Sequence, residues 1–387
     1  MKYSEPIYLV AARRSPIGRF GGGLKALPPA DLAVQVAEAV VPGALKPAVD
    51  QVILGQVLQA GAGMNVARQV GLKLGLPQTV PAFTVNMACA SGLQAVALAA
   101  SAIALGESAL VLAGGVEVMS RAPHYVTDLR WGRKLGASEV ADAMLIDGLC
   151  DPVLKIGMGD TAERIAEKFQ IGREAQDAFA LASQQRVATN RAALRREIVP
   201  IAAPDGSIDE DEHPRADTTP GKLAQLKPAF HPDGTVTAGN SSGINDGAAF
   251  VLVSGGTALR RHGLEPRARI AGAAVAGCDP SMMGMGPVHA VRRLFEETGW
   301  NPRNVDAFEI NEAFAVQTLA CAQELGLDAE KLNQRGGAIA LGHPIGCSGA
   351  RVLVTLLHIL EDRKLKRGIA SLCVGGGMGI AMAIERE

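Results

Sequence analysis

The sequence predicts an α/β protein built as two similar halves with an inserted segment between them. Short continuous apolar runs alternate with stretches of helical periodicity, one order of motifs occurs twice, and the region between the copies changes composition. Continuous apolar strands between helices are what a parallel-rich sheet covered on both faces requires.

Along the first half, "IYLVAA" (7–12) reads as a strand, "DLAVQVAEAV" (31–40) as a helix and "VDQVILGQV" (49–57) as a strand. "VARQVGLKLG" (66–75) reads as a helix, "AFTVNM" (82–87) as a strand, the run beginning at Cys89 as a buried helix, and "SALVLAGGVEVM" (108–119) as a strand ending near glycines. The same order returns later in the chain. "VDQVILGQ" (49–56) has a counterpart in "VDAFEINE" (305–312), and after each a Ser-Gly pair opens an apolar helix, "CASGLQAVALAASAIAL" from 89 and "CSGARVLVTLLHIL" from 347. Each helix leads into a small-residue strand with clustered glycines, "ALVLAGGVEVM" and "IASLCVGGGMGIAM". Two similar halves, rather than one long sheet, fit this pattern.

Between them the chain carries more charge and Pro-rich turns, as in "AAPDGSIDEDEHPRADTTPGK" (202–222). The stretch "GDTAERIAEKFQIGREAQDAFALASQQRVATNRAAL" predicts two helices broken near Gly172. Such an excursion is a natural place for a substrate lid or subunit contacts.

Composition excludes several classes. The chain of 387 residues is 48% hydrophobic with a net charge of -1 and only 4% aromatic residues, which leaves neither a basic footprint nor a stacking platform for nucleic acid. Its six cysteines are scattered, without paired spacing or His pairs at ligand distance, so we expect reduced thiols in the cytoplasm and no metal. "IYLVAA" precedes Arg13 and Arg14 and is too short for a signal peptide, and no apolar run is long enough to span a membrane.

Four residues at strand ends or helix starts carry possible chemistry. Cys89 lies between a strand and a helix, where unsatisfied N–H groups and the helix dipole lower a thiol pKa and favour the nucleophilic thiolate. Cysteine is also among the most buried residue types, so an inert packing role stays open. His343 stands in the Gly/Pro-framed loop "GGAIALGHPIGCSGAR" (336–351), Cys373 precedes three glycines, and Asn311 ends the strand in "FEINEAFA" (308–315). Each has a plainer role: a hydrogen-bonded structural histidine, a core filler, a helix cap. Their occurrence at matching places in two related halves points to one shared cleft.

With "NMACASGLQAVALA", "GGVEVMSRAPH", "TAGNSSGINDGAA", "NEAFA", "GGAIALGHPIGCSGAR" and "CVGGGMGIAM", the chain resembles the thiolases, acetyl-CoA C-acetyltransferases and 3-ketoacyl-CoA thiolases, over essentially its whole length. The resemblance implies the thiolase fold: two βαβαβαββ halves in a five-layer αβαβα arrangement with an inserted loop domain. Residues 1–119, completed by about 240–264, would form the first half. Residues 120–239 would be the insert for CoA binding and oligomer contacts, and residues 265–387 the second half.

It implies a ping-pong acyltransferase of fatty acid metabolism that interconverts two acyl-CoA molecules, foremost acetyl-CoA, with a 3-ketoacyl-CoA and CoA. Cys89 would carry the acyl group, His343 would act as base and then hold an oxygen with a water placed by Asn311, and Cys373 would be the second acid/base. Backbone N–H groups of Cys89 and Gly375 would form the oxyanion hole. Met158, Arg215, Phe230, Ala238, Ser242, Met283, Ala313 and Phe314 would bind substrate. CoA enters as substrate and product, with no permanently bound cofactor, and the expected assembly is a homotetramer, a dimer of dimers.

The family's usual histidine before the Met-Gly of the pantetheine loop is here Gly157, a usual serine near the adenine is Lys222, and Cys347 replaces a smaller residue. Met158 and Met283 would narrow the acyl pocket and Gly157 would open it. A degradative thiolase of broader chain length and a non-catalytic acyl-CoA-binding protein are the alternatives.

Overall fold

The computed structural model describes residues 5–386; residues 1–4 and 387, the outermost ends of the expected halves, lie outside the described residues. The first half contributes strands β1 (Ile7–Arg14), β2 (Gln51–Gly55), β3 (Ala82–Val85), β4 (Leu110–Val118) and β5 (Asn245–Gly255). Helices α1 (Pro29–Val40), α2 (Val66–Lys73) and α3 (Ser91–Ala104) alternate with them. Between β4 and β5 the chain leaves the sheet and forms α4 (Met158–Phe169) and α5 (Arg173–Thr189). The break falls at left-handed Gln170 (φ 54°) and Gly172, the cap of α5. The second half comprises β6 (Ala268–Gly277), α6 (Gly286–Thr298), β7 (Ala307–Ile310), α7 (Ala315–Leu325), α8 (Ile345–Asp362), β8 (Arg367–Val374) and β9 (Met378–Glu385).

Strand order is β3-β2-β4-β5-β1-β6-β9-β8-β7, with Gly18–Arg19 pairing beside β5. Where the sequence favoured two halves over one long sheet, hydrogen bonding is continuous. The join is slight, however: β1 and β6 meet only through Tyr8 with Arg269 and Leu9 with Ala268. Edge strands otherwise leave unpaired N–H and C=O groups, and this contact closes one edge of each half. In the second half the counterpart of β3 shrinks to a single bridge between Phe308 and Leu332. Asn333 supplies the missing ladder, donating from Nδ2 to the Ile310 carbonyl (2.9 Å) and accepting the Ile310 N–H at Oδ1 (2.9 Å).

Strand alternation sorts the core into layers. On β4, Leu110 and Leu112 pack with α1 and α2, whereas Val111 and Ala113 face α3 and α8. On β8, Leu372 and Val374 face α3 and α8, and Ile369 and Cys373 face the layer of α6 and α7. The order is therefore αβαβα, with α3 and α8 buried in the middle. From Ile345 to Leu360 every residue of α8 is buried, which explains its largely apolar sequence, and polar exceptions such as Ser348, Arg351 and Thr355 are hydrogen-bonded inside the protein. Glycine permits the close fit: a Cβ at Gly349 would lie 2.3 Å from the Leu93 nitrogen, and one at Gly115 2.1 Å from the Gly346 carbonyl oxygen.

Buried charge ties the excursion to this core. Arg14 donates from Nε to Glu197 (3.0 Å) and from both Nη atoms to Asp211 (2.7 and 3.0 Å). Glu197 also accepts from Arg335 (3.3 Å) and Thr355 (2.9 Å). Desolvation makes such clusters weak sources of net stability, but removing one partner is costly, so they hold segments in a single arrangement. Among the described residues no helix is long and apolar enough to cross a membrane.

Candidate active site

A cavity of about 890 Å³ opens where the residues preceding α3 and α8 meet the end of β8 beneath the inserted segment. Cys89, His343 and Cys373 lie in its wall.

Cys89 follows a tight turn. Ala88 adopts a left-handed conformation (φ 43°), a strain of about 1 kcal/mol or more for a residue with a Cβ. The Ser91 hydroxyl pins the turn, accepting the Met87 N–H (2.9 Å) and donating to the Ala88 carbonyl (2.7 Å). The expected lowering of the thiol pKa is overturned. Although the residue is partly open to the cavity, desolvation pushes the thiol up to about 11, and the N–H groups of Gly375 and Cys89 offset this only in part. Helix α3 begins at Ser91, beyond the sulfur's own residue, and the Glu117 carboxylate further disfavours a thiolate.

His343 is held at three points. Its N–H donates to Asn245 Oδ1 (3.0 Å), its Nδ1 lies 2.5 Å from Ser348 Oγ, and its Nε2 lies 3.4 Å from Asn311 Nδ2. Ser348 spends its hydroxyl proton on the Pro344 carbonyl (2.9 Å), so Nδ1–H donates to Ser348. Nε2 is then the bare nitrogen, and Asn311 donates to it. Burial, aided by Arg351, lowers the imidazole to about 3, which keeps it neutral. Cys373 is fully buried at the end of β8, and burial, then nearby Cys89, raises its thiol well above the usual range.

Asn311 is buried against His343, and partly exposed Gly375 presents its N–H to the Cys89 sulfur. Met158 opens α4, and Met283 is buried in the turn Pro280–Met285. Phe230 stands edge-on to Phe314, with centroids 6.0 Å apart and planes at 83°. The Ser242 N–H donates to the Ala313 carbonyl (2.9 Å), and Ala238 completes this side of the wall. Arg215 lies at the cavity with an exposed side chain, its N–H held by Gln184 Oε1 (2.9 Å). Exposed Arg19 and Lys222 share this mouth, and Lys222 is paired with Asp217. Cys347 is buried in the central layer.

Sequence reasoning missed Glu117, which accepts N–H groups of Val57 (2.9 Å), Leu58 (3.1 Å) and Gly346 (3.0 Å) and so ties the start of α8 to the sheet. An acidic residue inside the apolar run "VLAGGVEVM" is the signal that marks it. It also missed Asn245, Ser348 and His213, whose roles arise from segments distant in sequence. No cluster of three or more potential metal ligands occurs among the described residues. Two thiols, a neutral imidazole with a bare nitrogen and a backbone N–H aimed at sulfur equip the cavity for acyl transfer to cysteine.

Comparison with known proteins gives a consistent picture. Residues 7–256 match the thiolase N-terminal domain and residues 264–386 the thiolase C-terminal domain. The chain is 50% identical to an acetyl-CoA acetyltransferase of Chromobacterium violaceum, over 98% of this chain and 99% of that protein. The crystal structure of the Bacillus anthracis acetyl-CoA acetyltransferase superposes with a TM-score of 0.96 at 46% identity, covering 100% of both chains. Human mitochondrial 3-ketoacyl-CoA thiolase in complex with CoA superposes at 0.97 with 42% identity, over 99% of this chain and 98% of that one.

Proposed function

The chain belongs to the thiolase family, and on that premise we propose that it interconverts two acetyl-CoA molecules with acetoacetyl-CoA and free CoA. The observation that supports the site assignment is the presence of Cys89, His343 and Cys373 on one cavity, with the Gly375 N–H directed at the Cys89 sulfur.

In the first half-reaction Cys89 Sγ attacks the thioester carbonyl while its proton passes to His343 Nε2. The carbonyl oxygen gathers charge between the N–H groups of Cys89 and Gly375. The carbon–sulfur bond to CoA breaks, Cys373 gives its proton to the leaving thiolate, and S-acetyl-Cys89 remains. In the second half-reaction the Cys373 thiolate takes the α-proton of another acetyl-CoA. Protonated His343, with a water placed by Asn311, holds that substrate's thioester oxygen. The carbanion attacks the acetyl group, and Cys89 departs and recovers its proton from His343. A thiol raised to about 11 and an imidazole lowered to about 3 on the same cavity form no resting ion pair, so proton transfer accompanies attack.

The segment 120–239 is assigned to CoA binding and subunit contacts in a cytoplasmic homotetramer. Trp131 and Leu135, 92% and 91% exposed, offer apolar surface that a second copy would cover. A degradative thiolase of broader chain length is the second reading, favoured by Gly157, which leaves the cavity wall without a side chain beside Met158.

Thiolysis rates across a series of 3-ketoacyl-CoA chain lengths separate the two. The first reading expects acetoacetyl-CoA to react fastest, and a preference for longer chains overturns it. Cys89→Ser is expected to lose on the order of a thousandfold or more in rate while remaining folded. Cys373→Ser is expected to accept an acetyl group but stall at condensation.

A further inference from the structure

We infer that the neutral imidazole of His213 donates a hydrogen bond from Nε2 to an amide carbonyl in the arm of acyl-CoA; this rests on the thiolase reading above. His213 lines the cavity, and its segment is fastened at successive residues. Asp211 holds Arg14 and the Ile17 N–H (2.8 Å), Glu212 accepts the N–H groups of Arg19 (3.0 Å) and Gly23 (3.1 and 3.2 Å), and Gln184 accepts that of Arg215. The ring therefore has a defined place rather than that of a loose surface histidine.

The tautomer follows from Asn245. Its Oδ1 accepts the His343 N–H, which identifies the other amide atom as nitrogen. That Nδ2 donates one hydrogen to the Gly18 carbonyl (2.9 Å) and directs the other at His213 Nδ1 (3.2 Å). Nδ1 must be the acceptor, so the proton of the neutral ring sits on Nε2. Burial, then Arg215, lowers this histidine to about 4, in keeping with a neutral ring. The imidazole forms no other hydrogen bond among the described residues. It lies against Gly243, where a Cβ would come within 2.3 Å of Cε1.

Position selects the acceptor. His213 is two residues from exposed Arg215 at the cavity mouth and one side chain, Asn245, from the His343 backbone. The part of CoA between phosphates and sulfur is the pantetheine arm, whose hydrogen-bonding groups include two amides. A neutral N–H suits an amide carbonyl, whereas the cations Arg19, Arg215 and Lys222 suit phosphate. The same imidazole supports Asn245 and through it the loop of His343.

The test is single-turnover acetylation of Cys89 by acetoacetyl-CoA, by acetoacetyl-pantetheine and by a simple alkyl thioester of acetoacetate that lacks amides. His213→Phe should raise the half-saturating concentration of the two amide-bearing substrates by up to about tenfold, with the limiting rate nearly unchanged and the amide-free thioester unaffected. His213→Gln, which keeps a donor and an acceptor, should stay near the wild type, and His213→Ala serves as a second donor-free variant. Unchanged half-saturation overturns the proposal, as does an equal loss for the amide-free thioester, which would reduce His213 to a support for Asn245. Failure of the thiolase reading shows separately, as wild-type protein that none of the three substrates acetylates.

Discussion

Ser348 determines which nitrogen of His343 is free to take a proton, because its own hydroxyl is already committed to the Pro344 carbonyl. Ser348→Ala leaves Nδ1–H without its acceptor and releases the ring to the other tautomer. Steady-state kinetics should show kcat reduced by about ten- to a hundredfold with KM little changed, a part of the roughly hundred- to ten-thousandfold that a general base contributes; an unchanged kcat would deny Ser348 this role. At this scale the sequence exposes residues framed by special backbone: Cys89 before Ser-Gly, His343 between Gly and Pro, Cys373 before three glycines. It conceals partners such as Asn245, which reaches His343 and His213 from far along the chain. It also misleads about the Cys89 thiol, since a helix start is visible in sequence and the desolvation that outweighs it is not.

The contact of α3 with α8 places the two halves' reactive loops together, and glycine sets its closeness. Gly349→Ala would drive a Cβ against the Leu93 backbone, where neither helix can yield in a filled core. A loss of about 3 kcal/mol is expected from the urea midpoint. Gly221→Ala, in a short helix with nothing within 4 Å of the added Cβ, should be neutral or slightly stabilising. Equal effects would mean that the layers adjust freely. The duplicated strands and Ser-Gly helices were legible because burial on both sides demands apolar runs. The loss of one strand in the second half was not, because "KLNQRGG" has no apolar run and the side chain of Asn333 does the pairing.

For the whole molecule, buried ionisable groups shape stability against pH. Burial raises Glu117 to about 7 and Glu309 to about 8 from 4.5, so the native state retains protons the unfolded chain has released, and stability falls as pH rises through that window. Burial lowers His343 to about 3 and His213 to about 4 from 6.5, so the unfolded chain takes up protons first, and stability falls as pH drops below 6.5. The slopes oppose each other between 4.5 and 6.5, where the denaturation midpoint should be highest, with lower values at pH 8 and pH 4. A midpoint rising steadily to pH 8 would contradict these shifts. Light scattering tests the proposed homotetramer: a tetrameric mass is expected for the wild type and a smaller one for Trp131→Glu with Leu135→Glu, and an unchanged mass would exclude that surface from the interface. The two similar α/β halves were legible from strand and helix order and the αβαβα layering only through the resemblance to thiolases, while the continuous sheet was not, because its join through Tyr8 and Leu9 leaves no sequence mark. The most direct test of the central claim is the intact mass and peptide map of the protein quenched after mixing with acetyl-CoA. The account predicts one acetyl group, on Cys89, removed when CoA is added; acetyl on another residue, or turnover by a Cys89→Ala protein, would contradict it.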